Sequence, residues 1–315
     1  MLSVNSSSTL NSTIPVRNDK LLHLTPCDND DALLFFWVSS FFLLGVLGAV
    51  GNFLVILIVW KNRSMRNPTN FLLTSITASD FIYVLVIIPF EVVGLLGTKY
   101  FIQKDQIRMF ELERVPIVFS PFLTIISTYA LTLLAVERYN ALLHPLKIHR
   151  RLNKRSAKIA ICLIISLSFV IPVYSWLGRK QSASYALALY LTLVVIPGAI
   201  VAFCYGRIIL GVYVFKNICS QGTGGAQAMK EKKNLVKMLS LLAMVFLVPK
   251  LVQLSILLDL SLRMAKSGKV QMNCTIYILL LLEFLIRCLN PVIYMVYSSN
   301  YREGAKRLFR SCLSR

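Results

Sequence analysis

The stretch Glu283–Tyr297 reads EFLIRCLNPVIYMVY, and it decides the fold because polar and charged residues stand inside an otherwise apolar run. Glu283, Arg287, Asn290 and Tyr294 follow one another at steps of four, three and four residues. That spacing puts them on one face of an α-helix. A charge left alone among acyl chains costs about 3 kcal/mol or more, so we expect this face to meet polar partners inside a bundle.

The rest of the chain is equally apolar. Of its 315 residues, 56% are hydrophobic and 15% are charged, whereas soluble domains carry about a quarter charged residues. One helical membrane crossing takes about 20 apolar residues. We predict seven crossings, at Leu33–Trp60, Phe71–Gly97, Val115–Leu143, Ala157–Leu177, Tyr185–Phe215, Val236–Leu262 and Cys274–Tyr297. None alternates with period two, so the predicted fold is an all-α membrane protein, a seven-helix bundle rather than a barrel.

Basic residues are concentrated in alternate loops, which predicts that these loops are cytoplasmic and that the N-terminus is extracellular in the plasma membrane. The net charge of +20 is therefore ascribed to topology and anionic lipid, not to nucleic acid. We predict a disordered outer tail at 1–32, a seven-transmembrane domain at 33–298, and an amphipathic helix with a short cytoplasmic tail at 299–315.

Two cysteines, Cys27 and Cys274, face the oxidising exterior in this topology, and they are predicted to form a disulfide, the alternative being two free thiols. Asn5, Asn11 and Asn273 stand in outer N-glycosylation triplets.

Two inner segments differ in pattern. Apolar residues recur at helical spacing after 299, and Cys312 near the end of that amphipathic stretch is a candidate for palmitoylation, with a plain thiol as the alternative. The loop CSQGTGGAQAMKEKK, at 219–233, is glycine-rich and then basic, so we expect it to be flexible until helix six begins.

A series of motifs occurs in order, each on its own span. It comprises Asn52 in GN, Asp80 in ASD, Glu137, Arg138 and Tyr139 in ERY, Pro197 and Tyr205, Pro249, and Asn290, Pro291 and Tyr294 in NPVIY. In this series the chain resembles the rhodopsin-like (class A) G protein-coupled receptors, from the first span to the amphipathic tail.

The resemblance implies a receptor that turns an extracellular ligand, a peptide or a small charged molecule, into activation of a heterotrimeric G protein. It implies roles in coupling and activation for Glu137, Arg138, Tyr139, Tyr205, Asn290, Pro291 and Tyr294. At rest Glu137 would neutralise Arg138. Once the sixth helix swings outward, Arg138 would form hydrogen bonds with Tyr205 and Tyr294. The expected partners are the G protein, the ligand and membrane lipids, with no nucleic acid, cofactor or metal, and we expect no enzymatic activity.

Some residues depart from the family pattern. Leu247 stands where the family has a tryptophan switch, and Glu113 stands about where a disulfide-forming cysteine is usual. The route by which a ligand acts on the sixth helix is therefore left open.

A central polar network is expected from Asn52, Asp80, Ser127, Arg287 and Asn290. In the family, the residues matching Asp80, Ser127 and Asn290 help to hold a sodium ion. Our hypothesis is that the Arg287 guanidinium takes the place of that ion; the alternative is a pair with Glu283 alone, one helical turn away.

The outer half offers ligand-pocket candidates Glu91, Ser120, Lys250 and Glu283. Ser120 replaces the aspartate of amine receptors, which argues against an amine ligand. Lys250 would take an acidic group of a charged ligand, or it would instead form an internal salt bridge with Glu283.

Two other functions are considered. One is a constitutively active or accessory receptor-like protein, because the tryptophan switch is missing. The other is a small-solute transporter, which would require repeated halves with broken helices that this sequence lacks.

Overall fold

The computed structural model describes residues 30–100, 106–144, 146–147, 151–170, 191–211, 226–267 and 275–313. The helices are α1 (Asp31–Lys61), α2 (Pro68–Tyr100), α3 (Gln106–Leu143), α4 (Lys154–Ser168), α5 (Ile196–Ile209), α6 (Ala226–Ser267), α7 (Thr275–Tyr297) and α8 (Ser299–Leu313). A 3-10 turn, Arg63–Met65, joins α1 to α2, and a π-helical turn, Leu191–Val195, leads into α5.

The helices form a closed bundle. Helix α1 packs against α2 and α7, α3 packs against α2, α4 and α5, and α6 lies between α5 and α7. Helices α1, α2, α3, α6 and α7 contain stretches long and apolar enough to cross a membrane, and α5 is a shorter apolar helix. The predicted all-α bundle with a helix after it is therefore confirmed, with α4 and α5 described over only part of their predicted spans.

Helix α6 begins at Ala226, inside the loop at 219–233 and before the predicted apolar span that starts at Val236. Its first turns, AQAMKEKK, consist of strong helix formers, so the helix extends beyond the apolar segment that hydropathy detects. Hydropathy marks where lipid lies and not where a helix starts.

Two apolar clusters lie at opposite ends of the bundle. The cluster at the α8 end, called the inner cluster, includes Leu134, Tyr205 and Tyr294. The cluster at the opposite end, called the outer cluster, includes Phe41 and Phe284. The charged residues described below lie between them, so apolar packing above and below limits the access of water to the charges.

Helix α8 lies against the inner end of α1. Gly304 allows this close approach, because a β-carbon there would stand 2.5 Å from a methyl group of Ile58. Tyr301 and Leu308 are buried while Phe309 is exposed, consistent with an amphipathic helix at a bilayer surface. The predicted modification residues Cys27, Cys274, Asn5, Asn11 and Asn273, and the side chain of Cys312, lie outside the described part of the chain.

Candidate functional site

Four ionisable side chains are buried in the middle of the bundle. Asp80 on α2 is 1% exposed, Lys250 on α6 8%, Glu283 on α7 7% and Arg287 on α7 4%. Desolvating such groups costs several kcal/mol each, which good ion-pair geometry and further hydrogen bonds must offset. The arrangement of their partners is therefore the central feature of this region.

The guanidinium of Arg287 joins two carboxylates. Its Nη1 donates to Asp80 Oδ1 at 2.7 Å, and its Nη2 donates to Glu283 Oε1 at 2.8 Å. Nη2 also donates to Thr124 Oγ1 on α3 at 2.9 Å. The sequence left open whether Arg287 pairs with Asp80 or with Glu283, and the structure contains both pairs.

An aromatic ring supports the same guanidinium. The Arg287 Cζ atom lies 3.7 Å from the centre of the Tyr83 ring, a distance suited to a cation–π interaction. The Tyr83 hydroxyl is 3.1 Å from Ser120 Oγ, which ties the ring to α3. Arg287 Nε makes no hydrogen bond, so the ring and the two terminal nitrogens hold the group in place.

Both oxygens of Asp80 have donors. Asn290 Nδ2 donates to Oδ2 at 2.6 Å, and Ser127 Oγ donates to Oδ1 at 3.3 Å beside the arginine. Ser127 in turn lies 2.6 Å from Ser79 Oγ. Three of the other four predicted network residues therefore donate to the Asp80 carboxylate.

The fifth, Asn52, has a different position. Its Nδ2 donates to Gly48 O at 2.9 Å and to Arg287 O at 3.2 Å. It therefore fastens α1 to the backbone of α7 and does not touch the Asp80 carboxylate.

Helix α6 is connected to α7 through Glu283. Lys250 Nζ donates to Glu283 Oε2 at 2.7 Å, and Gln253 Nε2 donates to the same oxygen at 2.9 Å. Lys250 also donates to Gln253 Oε1 at 3.0 Å. Asp80, Arg287, Glu283 and Lys250 thus form a charge series of alternating sign that runs from α2 through α7 to α6.

A narrow cavity follows this charge series inward. All four charged residues line it, together with the polar residues Thr124, Ser127 and Asn290. Its apolar wall consists of Leu242 and Phe246 on α6, and of Ile76, Leu131 and Ile286. Of the four ligand-pocket candidates, Lys250 and Glu283 line it, while Glu91 and Ser120 do not. Ser120 instead lies against Tyr83 at the neighbouring α2–α3 contact, and Glu91 is a half-buried residue of α2.

The inner end of the bundle has a different character. Arg138 Nε lies 2.9 Å from Glu137 Oε2, the pair that the resemblance implies for the resting state. The buried hydroxyls of Tyr205 and Tyr301 make no hydrogen bond. Burial raises the pKa of Tyr301 on α8 above its ordinary value.

The remaining predicted residues of the inner end lie close by. The Tyr139 ring packs near His144, at 5.5 Å between ring centres, and the Tyr294 ring stacks on Tyr301 at 5.4 Å. Pro291 packs closely against Gly51 of α1.

Sequence reasoning missed three residues of the charged region. Tyr83 lies three positions after Asp80, Gln253 three after Lys250, and Thr124 three before Ser127. Each shares a helix face with a predicted residue, so extending the spacing argument from each charge by one turn would have found all three.

Comparison with known proteins gives a consistent result. The family model described as 7 transmembrane receptor (rhodopsin family) matches residues 51–294. The chain is 25% identical to a QRFP-like peptide receptor of Branchiostoma floridae over 90% of this chain and 78% of that protein. It is 25% identical to an allatostatin-A receptor of Bombyx mori over 84% and 77%. It is 24% identical to neuropeptide FF receptor 2 of Rattus norvegicus over 88% and 73%.

Proposed function

Because the chain belongs to the rhodopsin family of seven-transmembrane receptors, we propose that it binds an extracellular peptide and activates a heterotrimeric G protein. The similar proteins named above are receptors for peptides, which favours a peptide over other ligands. A location in the plasma membrane with the N-terminus outside belongs to the same proposal, supported by the basic inner loops.

One observation at the inner end carries the proposal. Arg138 Nε lies 2.9 Å from Oε2 of its neighbour Glu137, while the hydroxyl of Tyr205 is buried without a hydrogen bond. A buried polar group without a partner costs about 1–3 kcal/mol. A second arrangement, in which Arg138 turns toward the Tyr205 hydroxyl, would recover that cost, and it would open the inner face to a G protein.

The direct test is ligand-evoked guanine-nucleotide exchange. Cells that express the chain are screened with a peptide collection and read with sensors for several G protein classes. We expect at least one peptide to evoke exchange, and Arg138→Ala to abolish it at equal surface level. Solute flux into vesicles that contain the purified chain, without nucleotide exchange, would instead support a transporter.

For the ligand site we propose the outer part of the charge series, with Lys250 receiving an acidic group of the peptide and Glu283 lying beside it. Glu91 and Ser120 are proposed to lie further along the same ligand path. Lys250→Ala is expected to lower the potency of the active peptide, and Ser120→Ala to lower it less. Unchanged potency in Lys250→Ala would mean that the lysine serves only the internal salt bridge.

We also propose that this receptor binds no regulatory sodium, because the Arg287 guanidinium already sits 2.7 Å from Asp80 and close to Ser127 and Asn290. Peptide affinity is expected to be equal in sodium chloride and in choline chloride at the same ionic strength. A sodium-specific change in affinity that persists in Arg287→Ser would contradict this proposal.

The predicted modifications remain proposals. They are the disulfide Cys27–Cys274, the glycans at Asn5, Asn11 and Asn273, and the palmitoyl group at Cys312. Peptide mass mapping without reduction, with and without glycosidase and hydroxylamine treatment, tests each in one preparation.

A further inference from the structure

The ion pair between Lys250 and Glu283 is placed at the bend of α6. Pro249 immediately precedes the lysine and has no N–H to donate to the carbonyl one turn earlier. A proline inside a helix is a common point of bending. The 2.7 Å pair therefore ties α6 to α7 beside the residue about which α6 is able to pivot.

Glu283 has a second cationic partner, so the Lys250–Glu283 pair is able to open while the carboxylate stays paired. One oxygen accepts from Arg287 at 2.8 Å, and the other accepts from Lys250 at 2.7 Å and Gln253 at 2.9 Å. If Lys250 withdraws, the carboxylate keeps the arginine, so it is not left as an isolated buried charge. Separation therefore costs Glu283 less than the loss of a sole partner would.

The other ion pairs of the series do not join moving helices in the same way. Arg287 and Glu283 lie one turn apart on α7, and the Arg287–Asp80 pair joins α7 to α2 with support from Thr124 and the Tyr83 ring. On the α6 side, the cavity wall inward of the lysine is apolar, with Leu242 and Phe246. The Lys250–Glu283 pair, with the Gln253–Glu283 hydrogen bond beside it, is thus a polar connection between α6 and α7 that outward movement of α6 would have to break.

We propose that the Lys250–Glu283 ion pair is a brake, which holds α6 against α7 in the resting receptor and suppresses activity until it opens. The inference rests on the proposed G protein coupling, since activity is read through it. The Lys250–Glu283 pair would let a bound ligand act on α6 in a chain that has Leu247 in place of the tryptophan switch.

The test compares neutral and charge-preserving variants of the pair without any ligand. Lys250→Met is expected to raise basal nucleotide exchange per surface receptor at least about fivefold, the lower end of typical coupling between sites. Lys250→Arg keeps the cation and should raise basal exchange less than Lys250→Met does. Lys237→Met, at an exposed lysine on the same helix, is the matched control and should change nothing.

Glu283 variants sharpen the result. Glu283→Gln leaves Lys250 and Arg287 facing a neutral side chain, so it should raise basal exchange more than Lys250→Met does. The double variant Lys250→Met/Glu283→Gln should lie below Glu283→Gln, because the lysine cation that lost its carboxylate partner is also removed, while Arg287 keeps Asp80.

A second readout separates this inference from the coupling on which it rests. A fluorescent amino acid in place of Lys233, exposed on the inner part of α6, reports movement of that helix in purified receptor. Movement in Lys250→Met without nucleotide exchange would leave the brake standing and overturn the proposed G protein coupling. Unchanged fluorescence and unchanged basal exchange in Lys250→Met would overturn the brake. It would also be overturned if every neutral variant failed to reach the surface while Lys250→Arg succeeded, because the pair would then serve folding alone.

Discussion

Buried polar groups are paired in the middle of the bundle, whereas at its inner end some of them lack a hydrogen bond. In the middle, the two carboxylates and two cations of the charge series pair with one another at 2.7–2.8 Å. At the inner end, the buried hydroxyls of Tyr205 and Tyr301 have no hydrogen bond, and among the ion pairs described Arg138 has only its neighbour Glu137, at 2.9 Å.

This difference means that the middle stabilises the resting structure, while the inner end favours a rearrangement. A network whose members are paired is costly to disturb, so it stabilises one arrangement of α2, α6 and α7. Groups without partners gain hydrogen bonds when the structure rearranges, so they favour a second arrangement. We interpret the middle as the part that holds the resting state and the inner end as the part that gains partners on activation.

The largest effect is expected from removing the shared cation of the middle. Arg287→Met leaves Asp80 without its cation and should cost about 3–5 kcal/mol, the usual loss when one partner of a buried pair is removed. Thermal unfolding of purified receptor measures the change, with Arg207→Met at an exposed site on α5 as the control. A loss no greater than that of the control would show that the middle does not depend on this pair.

A smaller effect is expected from the ring beneath the guanidinium. Tyr83→Leu removes both the cation–π contact and the hydroxyl near Ser120, and should cost about 2 kcal/mol. Tyr83→Phe keeps the ring and should lose about 1 kcal/mol for the hydrogen bond. The same unfolding assay distinguishes them, and equal losses in both variants would mean that the ring contributes nothing through the arginine.

The smallest change in stability, with a large change in function, is expected at the inner end. Tyr205→Phe removes a hydroxyl that has no partner in this structure, so stability should stay the same or rise by about 1 kcal/mol. Peptide-evoked nucleotide exchange should fall, because Arg138 loses a partner in the second arrangement. A receptor that is clearly less stable yet fully active would contradict the comparison between the two regions.

The charged residues of α7 show which features of the site were predictable from sequence. The stripe on α7 was predictable because helical spacing puts Glu283, Arg287 and Asn290 on one face and because lone charges are costly in lipid. Which carboxylate the arginine meets was not, since a long side chain reaches either an intrahelical or an interhelical partner, and here its two terminal nitrogens serve both.

Other features depend on tertiary packing. The position of Asn52 on the α7 backbone, and not on Asp80, follows from how closely α1 approaches α7. The start of α6 at Ala226 follows from helix propensity beyond the membrane, which hydropathy does not detect. Charge pattern therefore identified the members of the middle region, while packing decided their contacts.

The most direct measurement is a double-mutant cycle on Asp80 and Arg287, read as the free energy of unfolding of purified receptor. Asp80→Asn removes the carboxylate charge that Arg287→Met leaves unpaired, so the double variant should be more stable than Arg287→Met alone, with a coupling energy of about 1–3 kcal/mol. Additive losses, with no coupling beyond about 0.5 kcal/mol, would contradict the account of a paired middle.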